Sequence, residues 1–384
     1  MTNLEKWLWL TVKCGISRAK IKVMLDEVFK TIDNIYDAPY ESFNQFRLSP
    51  TEKSRLGDKR IDGIANFIKT LHEHNVKIIT SDMEEYPYLL KQTHDYLYVL
   101  YCRGKKFINL NDYICVAVVG SRKASPYGIN VARSISCDAA KGGILIVSGM
   151  ADGIDSAAHL GALDAHMPTV AVLGCGINRV YPASNAYLMK RIMETGMVIT
   201  EYPPNAEPLK HHFPERNRII SGICHGTAVI EATFRSGSLI TARLANDSSR
   251  DVFAVPGNIN SLNSKGTNQL IKDGAYVFTT ADDILNMYLA KYEEKLQQAA
   301  DENTKDADVF ENSKTYTDTI QNEKTEPTSP EEKIISALEN GPLHIDKIAE
   351  LTHLDIANLS SALLMLEMNG KIFSSAGSIY ELSV

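Results

Sequence analysis

The spacing of apolar side chains changes along the chain and divides it into distinct regions. Over residues 1–75, apolar positions recur every three or four residues, as at Ile61, Ile64 and Ile68. This spacing places apolar side chains along one side of a helix. Residues 1–75 are therefore predicted to form a small helical domain.

From residue 76 onward, short continuous apolar runs alternate with segments long enough for a helix. The runs predicted to be strands are 76–80, 97–104, 115–120, 143–149, 169–174, 197–202, 227–232 and 251–256. Strands that are apolar at every position are buried on both faces, which is typical of a parallel sheet covered by helices. Residues 76–290 are therefore predicted to form an α/β domain with a Rossmann-like sheet. Ligands of such sheets bind beyond the carboxyl ends of the strands, where several of these runs end in glycine.

The last quarter of the chain differs again in composition. Residues 291–330 are polar and charged and end in Pro-Thr-Ser-Pro, which predicts an acidic flexible linker. In residues 331–384, three segments with helical spacing precede two short strand-like runs. This order of elements predicts a winged-helix domain.

Charge is unevenly distributed along these regions. The whole chain has a net charge of −7, but residues 1–290 carry 32 basic and 29 acidic side chains. Residues 291–330 carry 5 basic and 10 acidic side chains, and residues 331–384 carry 3 and 8. The acidic total therefore does not exclude nucleic-acid binding by the α/β domain, although such a site must be a local basic patch.

The cysteines and the N-terminus bear on the compartment of the protein. The six cysteines show no CxxC pair or regular spacing, which disfavours a zinc ribbon or a disulfide framework and suits a reducing cytosol. No apolar run approaches the roughly 18 residues of a membrane span, and the N-terminus lacks the pattern of a signal peptide. We therefore expect a cytoplasmic protein and predict no metal and no cofactor.

The first segment with candidate chemistry is the turn within residues 116–128. A strand ends at Gly120, and Ser121, Arg122 and Lys123 precede a Ser-Pro pair that starts a helix. Free amides at a helix N-terminus beside an arginine bind phosphate well. A purely structural turn with a solvated arginine is the alternative, and the residues alone leave both open.

A second candidate segment is the loop and helix within residues 201–222. A proline-rich loop leads to Lys210 and Phe213, and the following helix carries Arg216 and Arg218. Single-stranded nucleic acid is held by cations that contact phosphate and by exposed rings that stack on bases. The alternative role for the phenylalanine is that of an anchor in the core.

A third candidate is the helix start within residues 225–246. Ser236, Gly237 and Ser238 form a small-residue turn that resembles a phosphate cradle. An ordinary capped helix is the alternative.

Two further turns carry polar side chains with an open role. Asp152 and Asp155 either cap a helix or bind a metal or act as acid and base, and capping is favoured. Arg179 either reaches the same crevice or lies at the surface, and the nearby Cys175 is predicted to be a packed thiol.

The turns described above, taken together, resemble the DNA-processing protein A family (DprA/Smf). The matching stretches are VGSRKASPYG, SGMADGIDSAAH, VLGCGINRVYP, EYPPNAEPLKHHFPERNRIISG, EATFRSGSLITA and VPGNINSLNSKGTNQLIKDGA, in the family's order over about residues 76–290. The resemblance implies an extended Rossmann fold between a helical (SAM-like) domain and a winged helix. It also implies a homodimer without enzymatic activity that binds single-stranded DNA and loads RecA recombinase onto it during natural transformation.

The resemblance also carries over to particular positions. Gly120 and Arg122 look like DNA-contacting positions of the family, and Lys210 and Phe213 match its KxxF loop. The turn 236–238 looks like part of the same phosphate-binding rim.

The winged-helix region departs from a duplex-binding module. No basic residue lies between Lys347 and Lys371, whereas a DNA-reading winged helix needs cations on or near its recognition helix. We predict a regulatory or protein-contacting role for this domain instead.

An enzyme is the alternative to a DNA-binding protein. The Gly226-Thr227 pair ahead of Glu231 resembles the turn of Rossmann-fold nucleotide phosphoribohydrolases, in which the glutamate acts on a ribose bond. That group carries Pro-Gly-Gly before the turn, whereas this chain has Cys-His-Gly. The difference disfavours the enzyme.

Overall fold

The computed structural model describes residues 1–318, 330–338, 342–352, 354–368, 372–375 and 379–382. The chain divides into two compact units, Met1–Val309 and Phe310–Val384. Each unit has its own apolar core.

A nine-stranded sheet forms the centre of the first unit, within the described residues. Its strands are β1 Val76–Thr80, β2 Val99–Arg103, β3 Ile114–Val119, β4 Ile144–Ser148, β5 Thr169–Val172, β6 Met197–Thr200, β7 Gly226–Val229, β8 Asp251–Ala254 and β9 Tyr276–Val277. They lie in the order β1-β2-β6-β5-β4-β3-β7-β8-β9. The seven strands that follow β2 in this order are parallel to one another, and β2 is antiparallel to both of its neighbours, β1 and β6. The strand order reverses between β3 and β7, which is where such sheets bind ligands. The predicted α/β class with a Rossmann-like parallel sheet is confirmed.

Helices cover both faces of this sheet. They are α6 Tyr88–Lys91, α7 Pro126–Lys141, α8 Ile154–Asp164, α9 Ala186–Thr195, α10 His212–Gly222, α11 Gly237–Asp247 and α12 Lys265–Lys272. The strands between them are buried at nearly every position, as β3 is along its whole length. Burial on both faces explains why these strands lack the polar alternation of a half-exposed sheet.

The N-terminal region is helical, as its apolar spacing predicts. Its helices are α1 Asn3–Leu8, α2 Arg18–Val23, α3 Ile32–Asp37, α4 Pro50–Gly57 and α5 Ile64–Glu73, and α1 and α2 continue into wider turns at Trp9–Lys13 and Met24–Phe29. Trp7 stacks on Tyr98 with ring centroids 5.0 Å apart, and its Nε1–H donates to Asp82 at 2.9 Å. Side chains of this region and of β1, β2, β5 and β6 share one apolar core. The helical region therefore belongs to the same compact unit as the sheet.

The first part of the segment predicted to be a flexible linker is helical. Helix α13 spans Ala281–Asp318 with a kink at Tyr292. Leu296 and Ala299 are buried, and Leu296 packs into the core beneath the sheet. The linker therefore does not start at residue 291, because apolar side chains spaced along a mostly polar helix still reach the core. Residues 319–329 of the predicted linker lie outside the described residues.

The second unit contains helices and a small sheet in the order predicted for a winged helix. These elements are α14 Pro330–Leu338, β10 Leu343–His344, α15 Ile345–Thr352, α16 Ile356–Met368, β11 Ile372–Ser375 and β12 Ile379–Leu382. The antiparallel sheet has the order β10-β12-β11. Ile334, Ile348, Leu363 and Ile372 lie in the shared core. The predicted winged helix is confirmed.

Candidate nucleic-acid interface

The turn after β3 projects two cations from the carboxyl edge of the sheet. Gly120 lets the strand end pack closely, since a Cβ there would lie 2.6 Å from Cγ1 of Ile154. Ser121 is buried and its Oγ accepts from the Lys123 amide at 3.1 Å. Arg122 and Lys123 are both exposed. The tight, hydrogen-bonded turn thus holds both cations at the surface.

Three motifs that are far apart in sequence meet beside this turn. The guanidinium carbon of Arg122 lies 5.3 Å from the centroid of the Phe213 ring. The ring centroids of Tyr181 and Phe213 are 5.1 Å apart. The Phe213 ring packs on the backbone of Gly174, where a Cβ would lie 2.8 Å from Cδ1 of the ring. A shallow pocket here is lined by Arg122, Gly149, Ala151, Asp152, Tyr181, Pro182, Phe213 and Arg216. A cation and two rings are therefore brought together at one edge.

Arg216 lies beneath this pocket, in contrast to the surface position expected from the sequence. It is only 3% exposed, and its Nη1 donates to the carbonyl oxygens of Gly149, at 2.7 Å, and Val172. Burial lowers the pKa of its guanidinium. Burial raises the pKa of the neighbouring Asp155 carboxyl, and the Arg216 charge offsets part of that shift. This arginine holds the ends of β4 and β5 together and is not exposed to a phosphate backbone.

Arg218 is likewise engaged inside the protein. Its Nη2 donates to the Glu201 carboxylate at 2.6 Å, and its Nη1 donates to the carbonyl oxygen of Asp95 at 3.0 Å. Arg18 of the N-terminal region approaches the same carboxylate at 3.6 Å. Arg218 thus takes part in an ion-pair network that links α10 to the helical region, and its contact with DNA stays a prediction.

The remaining predicted positions lie on adjoining loops of the edge. Lys210 and Gly237 are exposed, Ser236 is half-buried, and Ser238 is buried. The Ser236 hydroxyl accepts from the Ser238 amide and caps α11. The Asn217 amide of α10 donates to the carbonyl oxygen of Gly237 at 3.3 Å. The loop carrying the lysine and the small-residue turn are therefore joined through α10.

Glu231 is the centre of a hydrogen-bond network between loops. It is 4% exposed and accepts from the Ser125 amide at 2.9 Å, the Ser125 hydroxyl at 2.5 Å and the Asn263 amide at 3.1 Å. The same Asn263 side chain donates to the carbonyl oxygen of Lys123. The alternative enzyme hypothesis needs this carboxylate at a ribose bond, whereas its oxygens are used within the protein.

The other polar candidates have structural contacts. Asp155 lies in the first turn of α8, but its carboxylate accepts from the amide of Ala151, which precedes the helix, at 3.4 Å. The N-cap position is Gly153 and has no side-chain cap hydrogen bond, so the expectation that these aspartates cap the helix is wrong. Cys175 is buried, and burial raises the pKa of its thiol. In the described part of the chain, no group of three His, Cys, Asp or Glu side chains is placed to hold a metal ion.

Tyr181 is the residue of this edge that sequence analysis missed. It is 41% exposed and directly follows the Gly-rich turn after β5. Its nearness to Arg179 in the sequence was a usable signal, because a ring beside a cation on a loop is the pattern sought around Phe213.

Comparisons with known proteins agree with this architecture. Residues 77–289 match the sequence model of the family described as DNA recombination-mediator protein A, and residues 321–378 match that of the DprA winged helix domain. The chain is 31% identical to Protein Smf of Synechocystis over 99% of this chain and 100% of that protein. It is 42% identical to DNA processing protein DprA of Streptococcus pneumoniae over 52% of this chain and 70% of that protein.

Two solved structures resemble the fold. The structure of DprA from Streptococcus pneumoniae matches with a TM-score of 0.64 and 33% identity, covering 74% of this chain and 98% of that one. A structure that describes the single-stranded DNA binding mode of DprA from Helicobacter pylori matches with a TM-score of 0.51 and 29% identity, covering 56% and 97%. The chain is thus a DNA-processing protein built on a Rossmann-type sheet with a winged helix. It belongs to the DNA recombination-mediator protein A family, DprA/Smf, which confirms the resemblance noted from its motifs.

Proposed function

We propose that the carboxyl edge of the sheet binds single-stranded DNA. Arg122, Lys123 and Lys210 contact phosphates, the turn 236–238 supplies backbone amides to the same strand, and Phe213 belongs to the aromatic part of the groove. The observation that carries the proposal is the convergence of an exposed arginine with two aromatic rings at one strand edge. The H. pylori relative, whose structure describes a single-stranded DNA binding mode, supports it.

We further infer that the protein is a recombination mediator and not an enzyme. In this role it protects incoming single-stranded DNA and loads RecA onto it during natural transformation, acting as a homodimer in the cytoplasm. The family assignment supports the mediator role. The internal hydrogen bonds of Glu231 speak against ribose hydrolysis. In the described residues, no helix is both long and apolar enough to cross a membrane.

Fluorescence anisotropy of a labelled poly-dT oligonucleotide tests the DNA site. Arg122→Ala/Lys210→Ala removes two phosphate contacts and should weaken binding about tenfold or more at moderate salt. The slope of log K against log[salt] should become shallower by about 1.4, because each contact to a single strand contributes about 0.7.

A matched control removes the same charge from the opposite edge. Lys141 and Lys272 are exposed and lie in the last turns of α7 and α12. The first turns of these two helices lie at the carboxyl edge of the sheet. Lys141→Ala/Lys272→Ala should keep the wild-type affinity and salt slope. Equal losses in the two double variants would show that binding follows net charge and not this site.

A further inference from the structure

Tyr181 presents the open aromatic surface of the pocket. The Phe213 ring is half-buried, with the Gly174 backbone against it and the Arg122 guanidinium 5.3 Å from its centroid. Tyr181 packs against the same ring at 5.1 Å and an interplanar angle of 39°, yet it stays 41% exposed. Of these two rings, Phe213 therefore packs beneath Tyr181 and supports it, whereas Tyr181 faces solvent.

The open side of the pocket is aromatic. Tyr181 on its wall is 41% exposed, whereas Arg216 beneath it is only 3% exposed. The ring face that a flat ligand reaches is therefore that of Tyr181, and a base stacked on this face lies over the pocket.

Charge around the pocket fixes the orientation of a nucleotide. Arg122 and the exposed Asp152 both line the pocket, and the Asp152 carboxylate accepts from the Ser184 hydroxyl at 3.0 Å. A phosphate is attracted to the guanidinium and repelled by the carboxylate. The phosphate backbone is therefore expected beside Arg122 and away from Asp152.

We propose that Tyr181 is a nucleobase-stacking residue, with Phe213 as the ring that holds it in place. The proposal rests on the proposed single-stranded DNA function and adds the ligand surface for the base. Stacking on a tyrosine face is tolerant of sequence because every base has a π-face. The tyrosine hydroxyl is not needed for this contact.

The test compares an oligonucleotide with one that has lost its bases. Poly-dT and an abasic strand of the same length carry the same phosphates. Tyr181→Ala should weaken poly-dT binding by between about 5-fold and 150-fold and leave the weaker binding to the abasic strand within about twofold. Tyr181→Phe should retain wild-type binding to both. A 2-aminopurine placed along the strand should be quenched by wild type and less so by Tyr181→Ala.

Tyr187 provides a matched control. It is a tyrosine 74% exposed in α9, and Tyr187→Ala removes a comparable ring outside the pocket. Unchanged poly-dT binding by Tyr181→Ala, or an equal loss on both strands, would overturn the stacking role, the second result indicating a structural effect. Failure of the wild-type protein to bind either strand would instead overturn the proposed function itself.

Discussion

At the scale of single residues, the absence of a side chain at Gly174 decides how the side chains pack at the carboxyl edge of the sheet. A Cβ there would lie 2.8 Å from the Phe213 ring and would push it outward. The ring instead packs on the backbone, and its position sets that of Tyr181. The proposed base-stacking position of Tyr181 thus depends on a glycine earlier in the same loop after β5, through a ring carried by α10.

Sequence analysis predicted the exposed cations of the edge but not the orientation of α10, which contains Phe213. Arg216 follows Phe213 by three residues and precedes Ile219 by three, so all three lie on the apolar side of α10. That spacing was available in the sequence, although an arginine is rarely buried without partners. Its partners are carbonyl oxygens of β4 and β5 ends, which no local pattern reveals.

A half-buried histidine predicts how the stability of the protein changes with pH. The His225 Nδ1 accepts from the Cys115 amide at 3.2 Å, and burial lowers the pKa of the imidazole to about 4. Between this value and the ordinary 6.5, the unfolded chain binds a proton that the folded chain does not. The free energy of unfolding should therefore fall with decreasing pH, by about 2 kcal/mol from this group at pH 5.

His225→Asn keeps an acceptor for the Cys115 amide but does not titrate. Urea unfolding at pH 7.5 and pH 5.0 should show a smaller acid loss for this variant than for wild type. An identical loss in both proteins would contradict the assignment of that step to His225.

At the scale of elements, burial explains which parts of the fold were predictable. The eight predicted strands are β1 to β8, because each is a continuous apolar run. β9 has two residues, both exposed, so it gives no such signal. Helix α13 is mostly polar, and from residue 291 onward it was predicted to be a linker. Its side chains Leu296 and Ala299 are nevertheless buried.

Close packing of α7 on α8 gives a prediction for Gly161. A Cβ at this position would lie 2.2 Å from the carbonyl oxygen of Arg133, a backbone atom that cannot rotate away. Gly161→Ala gains up to about 1 kcal/mol in helix propensity, yet overpacking costs about 1–3 kcal/mol or more. We expect a net loss of stability in urea unfolding.

Gly237→Ala is the control, since a Cβ there meets nothing within 4 Å. It should match or slightly exceed the stability of wild type. Stability at or above wild type for Gly161→Ala would mean that the two helices separate without cost.

At the scale of the whole molecule, apolar patterning located the regions but not their grouping. Residues 1–75 are helical and 76–290 form the sheet, yet both lie in one unit with a continuous core. Arg18, Glu201 and Arg218 connect them through ion pairs. Such contacts join residues almost 200 positions apart, and patterning within a short window does not detect them.

The second unit gives the last prediction. No basic residue lies between Lys347 and Lys371 on or after α15. Deletion of residues 331–384 should therefore leave the affinity for poly-dT within about twofold, because phosphate contacts dominate such binding. Thermal unfolding first checks that the truncated protein unfolds as the first unit of the full chain does. Fluorescence anisotropy then measures its affinity for poly-dT. A loss of tenfold or more would place DNA contacts in the winged helix.

The network around Glu231 also has an evolutionary consequence. One carboxylate joins the start of α7, through Ser125, to the loop after β8, through Asn263. Loops of a Rossmann-type sheet usually diverge independently. Here a substitution at any of these three positions leaves a polar group in the interior without its hydrogen-bond partner. Lineages that retain this edge should therefore change the three positions together or leave them alone, so that drift in one loop is restrained by the other two.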